Sequence, residues 1–164
     1  MAYIPYGRQD INQTDIQAVV DTLQSDWITQ GPAIEKFEQT VATYCGAKYA
    51  VAVNSATSAL HIACLAADLG HGDSLWTTPN TFVASANCGL YCGANVDFVD
   101  IDKRSYNMNP NELEAKLVRA KHEGKVPKVV IPVHFAGQSC EMDKIADMAK
   151  EYKFTIIEDA SHAI

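Results

Sequence analysis

Short apolar runs, each stopped by polar or small residues and followed by a helical repeat, restrict this chain's fold more than any other feature. Residues 49–53, 75–77, 96–99, 129–133 and 154–157 are such runs, and Val129-Val130-Ile131-Pro132-Val133 is the most uniformly apolar. A strand with no polar alternation is covered on both faces, and strands separated by helices pair in parallel. The expectation is therefore an α/β domain with a mostly parallel sheet. Its functional residues should lie on the loops beyond the carboxyl ends of the strands.

The intervening segments carry helix signals. Ile16, Val19, Val20 and Leu23 recur at helical spacing, and Thr14 followed by Gln17 reads as a capping box. Ile34, Phe37, Val41 and Tyr44 mark a second helix, which Pro32 can open. Asn109-Pro110-Asn111-Glu112 reads as a cap, a first-turn proline and the far side of a capping box, with Leu113 and Leu117 on the buried face. Met142, Ile145 and Ala149 mark the helix before the last strand.

Composition narrows the function classes. Hydrophobic residues make up 48% of the 164, enough for a core and too many for a disordered tail. Lys plus Arg number 13 against 20 Asp plus Glu, a net charge of −7, which argues against a nucleic-acid backbone binder. A local anion pocket made of backbone amides stays open. No apolar run is long enough to cross a bilayer and no signal peptide begins the chain, so a cytoplasmic protein without a membrane partner is expected. The five cysteines are odd in number, lack a CxxC pair and mostly have apolar neighbours, which suits core thiols. The length fits one domain. The chain stops at Asp159-Ala160-Ser161-His162-Ala163-Ile164, a potentially chemical segment just past a strand, and this reads as a cut through a larger protein.

Four places carry chemistry. Ser55-Ala56-Thr57-Ser58 sits at a strand-to-helix junction, where small residues and free helix amides can grip a phosphate, or where a serine merely caps the helix. It is neither a GxxxxGK[ST] nor a GxGxxG loop. Phe82, after Pro79-Asn80-Thr81, can stack on a planar ring or fill the core. Asp159 leaves an apolar strand and could hold a heterocyclic nitrogen protonated, with His162 spaced to reach a nearby oxygen; a local cap or ion pair is the plainer alternative. His134 is a catalytic base, a substrate contact or a structural histidine. No metal is expected, because His134, Cys140, Asp159 and His162 match no compact zinc spacing.

In their order along the chain these elements resemble the DegT/DnrJ/EryC1/StrS sugar aminotransferases, pyridoxal-phosphate enzymes of fold type I. The resemblance is carried by Thr29-Gln30-Gly31-Pro32, Asn54-Ser55-Ala56-Thr57-Ser58-Ala59-Leu60, Thr78-Pro79-Asn80-Thr81-Phe82, Val133-His134-Phe135-Ala136-Gly137 and Glu158-Asp159-Ala160-Ser161-His162-Ala163. It implies that Ala56 and Thr57 grip the cofactor phosphate and Phe82 stacks on the pyridine ring. Asp159 would pair with the ring nitrogen, and His162 would contact the phenolic oxygen. Thr29, Gly31 and His134 would lie toward the sugar nucleotide. The implied partners are a UDP-linked 4-keto-6-deoxy-N-acetylhexosamine, L-glutamate as amino donor and a second copy in a homodimer.

The resemblance also implies missing parts. The family's Schiff-base lysine follows the motif aspartate in a serine-histidine segment, whereas Lys144, Lys150 and Lys153 all precede Asp159. The chain as given is thus expected to be inactive, and dehydratases of the family, which carry histidine in place of the lysine, stay open. So does a non-enzymatic anion-binding module. The family's large domain has a seven-stranded sheet in the order 3-2-4-5-6-7-1. Residues 1–164 would be its N-terminal portion, truncated, with an incomplete sheet and without the C-terminal small domain. Residues 49–53 would supply strand 1 and residues 154–157 strand 5, so strand 1 would lack its neighbours.

Overall fold

The computed structural model describes residues 7–164. It divides into a unit that ends at Ala52 and a unit spanning Val53–Ile164. The first unit holds helices α1 (Gln13–Gln24) and α2 (Pro32–Cys45). The cap of α1 is Asn12, not Thr14. The Asn12 side chain accepts from the amides of Thr14 and Asp15, and the Asp15 carboxylate accepts from the Asn12 amide, so the box closes two residues earlier than Thr14–Gln17 would place it. Pro32 opens α2 as expected. The apolar stripes of both helices form, yet neither helix has a buried residue.

Residues 49–53 depart from the sequence reading. They form no strand and have no ladder partner among the described residues; Tyr49 and Val51 are 75% and 78% exposed. The amide of Ala52 instead donates to Glu38 Oε1 at 2.8 Å. A strand exists only by its neighbours' hydrogen bonds, and here no neighbour supplies them.

The second unit is the expected α/β layer structure. Its elements in chain order are α3 (Ala56–Ala66), β1 (Ser74–Thr77), α4 (Ala84–Tyr91), β2 (Asn95–Phe98), α5 (Pro110–Glu123), β3 (Val129–Val130), α6 (Met142–Tyr152) and β4 (Thr155–Ile156). The four strands form one parallel sheet in the order β2-β1-β3-β4. That is the 3-2-4-5 part of the seven-strand order anticipated above. Alternate strand residues face opposite layers. Leu75, Val129 and Ile131 pack with Leu60, Cys64 and Cys88 of α3 and α4, while Trp76 and Val130 pack with Leu113, Leu117, Ile145 and Met148 of α5 and α6. Burying a leucine such as Leu113 or Leu117 contributes about 2 kcal/mol. Asn109 caps α5 through the Asn111 amide and Pro110 opens the helix, while Glu112 sits in its first turn.

Pairing extends past the short strands toward the site. Ile131 donates to the Trp76 carbonyl at 2.8 Å. Pro132 has no N–H, but its carbonyl accepts from the Asp159 amide at 3.0 Å, and the His134 amide donates to the Asp159 carbonyl at 3.1 Å. This Val133–Asp159 bridge fixes Asp159 at the carboxyl end of the sheet. Among the described residues no helix is long and apolar enough to cross a membrane.

Cys64, Cys88 and Cys140 are buried, Cys92 is half-buried and Cys45 is exposed, and all five are free thiols. Burial pushes the Cys140 thiol up to about 11 and raises that of Cys92, and the neighbouring Cys88 sulfur together with burial raises that of Cys64. Only a thiolate reacts readily. Alkylation of the native protein near neutral pH, followed by peptide mass spectrometry, is expected to label Cys45 first and Cys92 slowly. Cys64 and Cys140 should label only after denaturation; prompt native labelling of either would contradict this packing.

Candidate functional site

Asp159 is buried, with 7% of its surface exposed. Two hydroxyls clamp its carboxylate. Ser85 Oγ donates to Oδ2 at 2.6 Å and Ser161 Oγ donates to Oδ1 at 2.6 Å, while the Ser161 amide adds a longer bond to Oδ1 at 3.2 Å. No Lys, Arg or His is paired with this carboxylate among the described residues. A buried anion held only by neutral donors is costly unless a cation arrives from elsewhere.

Phe82 lies in the turn between β1 and the start of α4. It is 74% exposed, so it is no core residue and its ring is open to a stacking partner. The same turn carries Thr81, whose Oγ1 lies 2.7 Å from Ser85 Oγ. The stacking candidate and the carboxylate clamp therefore grow from one short segment.

At the start of α3, Ser55 is the cap. Its hydroxyl accepts from the Ser58 amide at 3.2 Å, and Ser58 Oγ donates to Asn54 Oδ1 at 2.7 Å. The amides of Ala56 and Thr57 have no protein acceptor among the described residues. Capping and anion binding are therefore compatible here. The serine satisfies the third helical amide and leaves two amides at the positive end of the helix dipole for an incoming anion.

His134 is 6% exposed and has no free ring nitrogen. The Cys140 amide donates to Nδ1 at 3.1 Å, so Nδ1 is the acceptor and Nε2 carries the hydrogen that meets Glu158 Oε2 at 2.9 Å. Both ring nitrogens of His134 thus have protein partners, which fix the ring in place between Glu158 and the 134–140 loop. His162 is exposed in the last turn. Its carbonyl packs so closely on Gly137 that a Cβ there would come within 2.8 Å of it, and Gly137 also has φ +85°. Thr29 and Gly31 belong to the first unit. Gly31 caps α2, and a Cβ on it would meet Trp27 Cβ at 2.7 Å, so the glycine answers to Trp27 packing. Trp27, Gln30, Gly31, Pro32 and Glu35 border an open groove of about 430 Å³.

Two residues escaped the sequence reading. Ser85 is fully buried and meets Asp159 from 74 positions away. Its four-residue spacing from Thr81 on a helix entry was the available signal. Asn107 is buried and staples the 134–140 loop: its Nδ2 donates to the carbonyls of Gln138 and Ser139, and its Oδ1 accepts from the Phe135 amide. A lone asparagine gives no sequence signal for that.

The profile of the DegT/DnrJ/EryC1/StrS aminotransferase family matches residues 9–164. The chain belongs to the DegT/DnrJ/EryC1/StrS aminotransferase family.

Among its relatives, the spore coat polysaccharide biosynthesis protein SpsC of Bacillus subtilis is 42% identical over 99% of this chain and 40% of its own length. A UDP-4-amino-4,6-dideoxy-N-acetyl-beta-L-altrosamine transaminase of Campylobacter jejuni is 42% identical over 98% of this chain and 42% of its own. A sugar aminotransferase of Streptococcus pneumoniae, described as putative and solved in PLP and PMP forms, superposes with TM-scores of 0.84 and 0.86 at 31% and 30% identity. Both forms cover 98% of this chain and 43% of their own. The chain thus spans about two fifths of the length of these relatives. DegT/DnrJ/EryC1/StrS proteins are pyridoxal-phosphate-dependent aminotransferases, and the residues present fit that cofactor. Asp159 lacks a cation that a protonated ring nitrogen would supply, two helix amides lack an anion, and Phe82 offers an uncovered aromatic face.

Proposed function

We propose that residues 1–164 are the N-terminal portion of the cofactor-binding large domain of a nucleotide-sugar aminotransferase. The observation that carries this reading is the buried Asp159 carboxylate, clamped by Ser85 and Ser161 and left without a protein cation. Bound pyridoxal phosphate supplies an electron sink for the carbon that exchanges its amino group. Asp159 holds the ring nitrogen protonated through a charge-assisted hydrogen bond, which deepens that sink. The amides of Ala56 and Thr57 hold the phosphate, Phe82 orients the ring by stacking, and His162 contacts the phenolic oxygen. Thr29 and Gly31 keep the sugar-nucleotide role that the resemblance implies.

The acceptor in this reading is a UDP-linked 4-keto-6-deoxy-N-acetylhexosamine and the donor L-glutamate, in pseudaminic acid biosynthesis, by a cytoplasmic homodimer. Support for that branch comes from Asn54–Leu60 as a run, Phe82-Val83-Ala84 and Ser161-His162-Ala163, which resemble the transaminase of that pathway. The equal identity to the spore coat relative makes the sugar the first thing to test. The full-length protein, given pyridoxal phosphate, L-glutamate and the UDP-keto sugar, is expected to yield UDP-amino sugar and 2-oxoglutarate, read by mass spectrometry. Loss of water without gain of nitrogen would instead assign a dehydratase. Specific UDP-sugar binding with no cofactor requirement would assign a binding module. The 164-residue chain alone is expected to transfer nothing.

A further inference from the structure

We propose that Ser85 is a positioning residue that sets where the proton sits between Asp159 and the cofactor ring, acting through a directed hydroxyl chain from Thr81. The inference rests on the pyridoxal-phosphate reading of the site. An ionised carboxylate only accepts hydrogen bonds, so Ser85 must point its single proton at Asp159 Oδ2, 2.6 Å away. The Phe82 carbonyl, 3.3 Å from Ser85 Oγ, is then left as a distant alternative acceptor. With its proton committed, Ser85 Oγ can only accept from Thr81 Oγ1 at 2.7 Å. The order is therefore Thr81 to Ser85 to Asp159, and Phe82 is held between the two hydroxyl residues. Ser85 is fully buried, so no solvent competes for its hydroxyl. Ser161, with its own amide, occupies the other oxygen, so each carboxylate oxygen is held by its own serine.

Removing the Ser85 hydroxyl takes away the contact that fixes the plane of the carboxylate, which weakens its hydrogen bond to the ring. A weaker hydrogen bond supports the protonated ring nitrogen less. A serine that only filled space would leave that bond unchanged.

The test uses the full-length protein loaded with pyridoxal phosphate labelled at the ring nitrogen. Nitrogen NMR across a pH series reads ring protonation directly, and steady-state kinetics run beside it. In Ser85→Ala the ring nitrogen should deprotonate at a lower pH than in the wild type, and kcat should fall about tenfold with KM for both substrates nearly unchanged. Ser85→Thr, which keeps the hydroxyl, should restore both. A wild-type ring titration and kcat in a loaded, folded S85A protein would overturn the proposal, as would equal impairment of S85A and S85T. If S85A does not fold, Ser85→Cys is close in size and a weaker donor. A shift of its ring titration in the same direction supports the chain, and no shift overturns it. Failure of the wild type to bind pyridoxal phosphate would instead strike the underlying functional reading, so the two failures are distinct.

Discussion

Asp159→Asn in the full-length protein is expected to slow amino transfer about a hundredfold or more while leaving the fold in place. The effect is large because, in the proposed function, Asp159 is the negative charge set against the ring nitrogen, and the electron sink would depend on that nitrogen staying protonated. The fold should survive because asparagine has nearly the shape of aspartate. The Ser85 and Ser161 hydroxyls can rotate to meet an amide oxygen or an amide N–H. Circular dichroism should therefore match the wild type, and single-turnover absorbance should show the slowed half-reaction. Phosphate grip should change much less, because the amides of Ala56 and Thr57 lie on a different element, α3. A folded D159N protein with unchanged half-reaction kinetics would remove Asp159 from the chemistry.

Ala56→Pro tests the other end of the cofactor. A backbone amide cannot be deleted by changing a side chain, but proline deletes it outright. Position 56 is the first residue of α3, where proline's fixed φ suits the helix and its missing N–H costs no helical hydrogen bond. The preceding Ser55 is extended, at φ −164° and ψ 155°, the conformation a residue before proline prefers. Stability should thus change little. Pyridoxal-phosphate affinity should fall about ten- to a hundredfold, the worth of one hydrogen bond to a charged phosphate. Equilibrium binding read by absorbance, with the melting temperature as control, separates the two effects. Unchanged affinity in a folded A56P protein would show that the phosphate sits elsewhere.

Much of the second unit was legible in the sequence because its signals are local. Pro110 behind Asn109 marks the start of α5, and the apolar spacing of Met142, Ile145 and Ala149 marks α6. The four paired strands were legible as apolar runs. Residues 49–53 carry the same kind of run, yet pairing is a property of neighbours and not of the run itself: the strand order implied by the resemblance left this run without neighbours, and among the described residues it has none. The cap of α1 was misread for a smaller reason: Asn12 and Thr14 are both competent caps two residues apart, and only the geometry of Asp15 decides between them.

The site was legible where one residue type meets one task. A carboxylate leaving an apolar strand and small residues at a helix start both stand out in the sequence. What holds them in place was not legible. Ser85 and Asn107 are ordinary residues whose roles come from partners 74 and about 30 positions away. His134 was conspicuous for the opposite reason: a histidine beside a glycine-containing loop suggests chemistry, while its two ring nitrogens are already spent on Glu158 and the Cys140 amide.

The central claim is that Ala56, Thr57, Phe82 and Asp159 together hold one pyridoxal phosphate. A crystal structure of the full-length protein with that cofactor tests it most directly. The account predicts the ring nitrogen within hydrogen-bonding distance of an Asp159 oxygen, a ring face against Phe82 and the phosphate on the amides of Ala56 and Thr57. A bound cofactor whose ring nitrogen faces any group other than Asp159, or whose phosphate sits away from the start of α3, would contradict it.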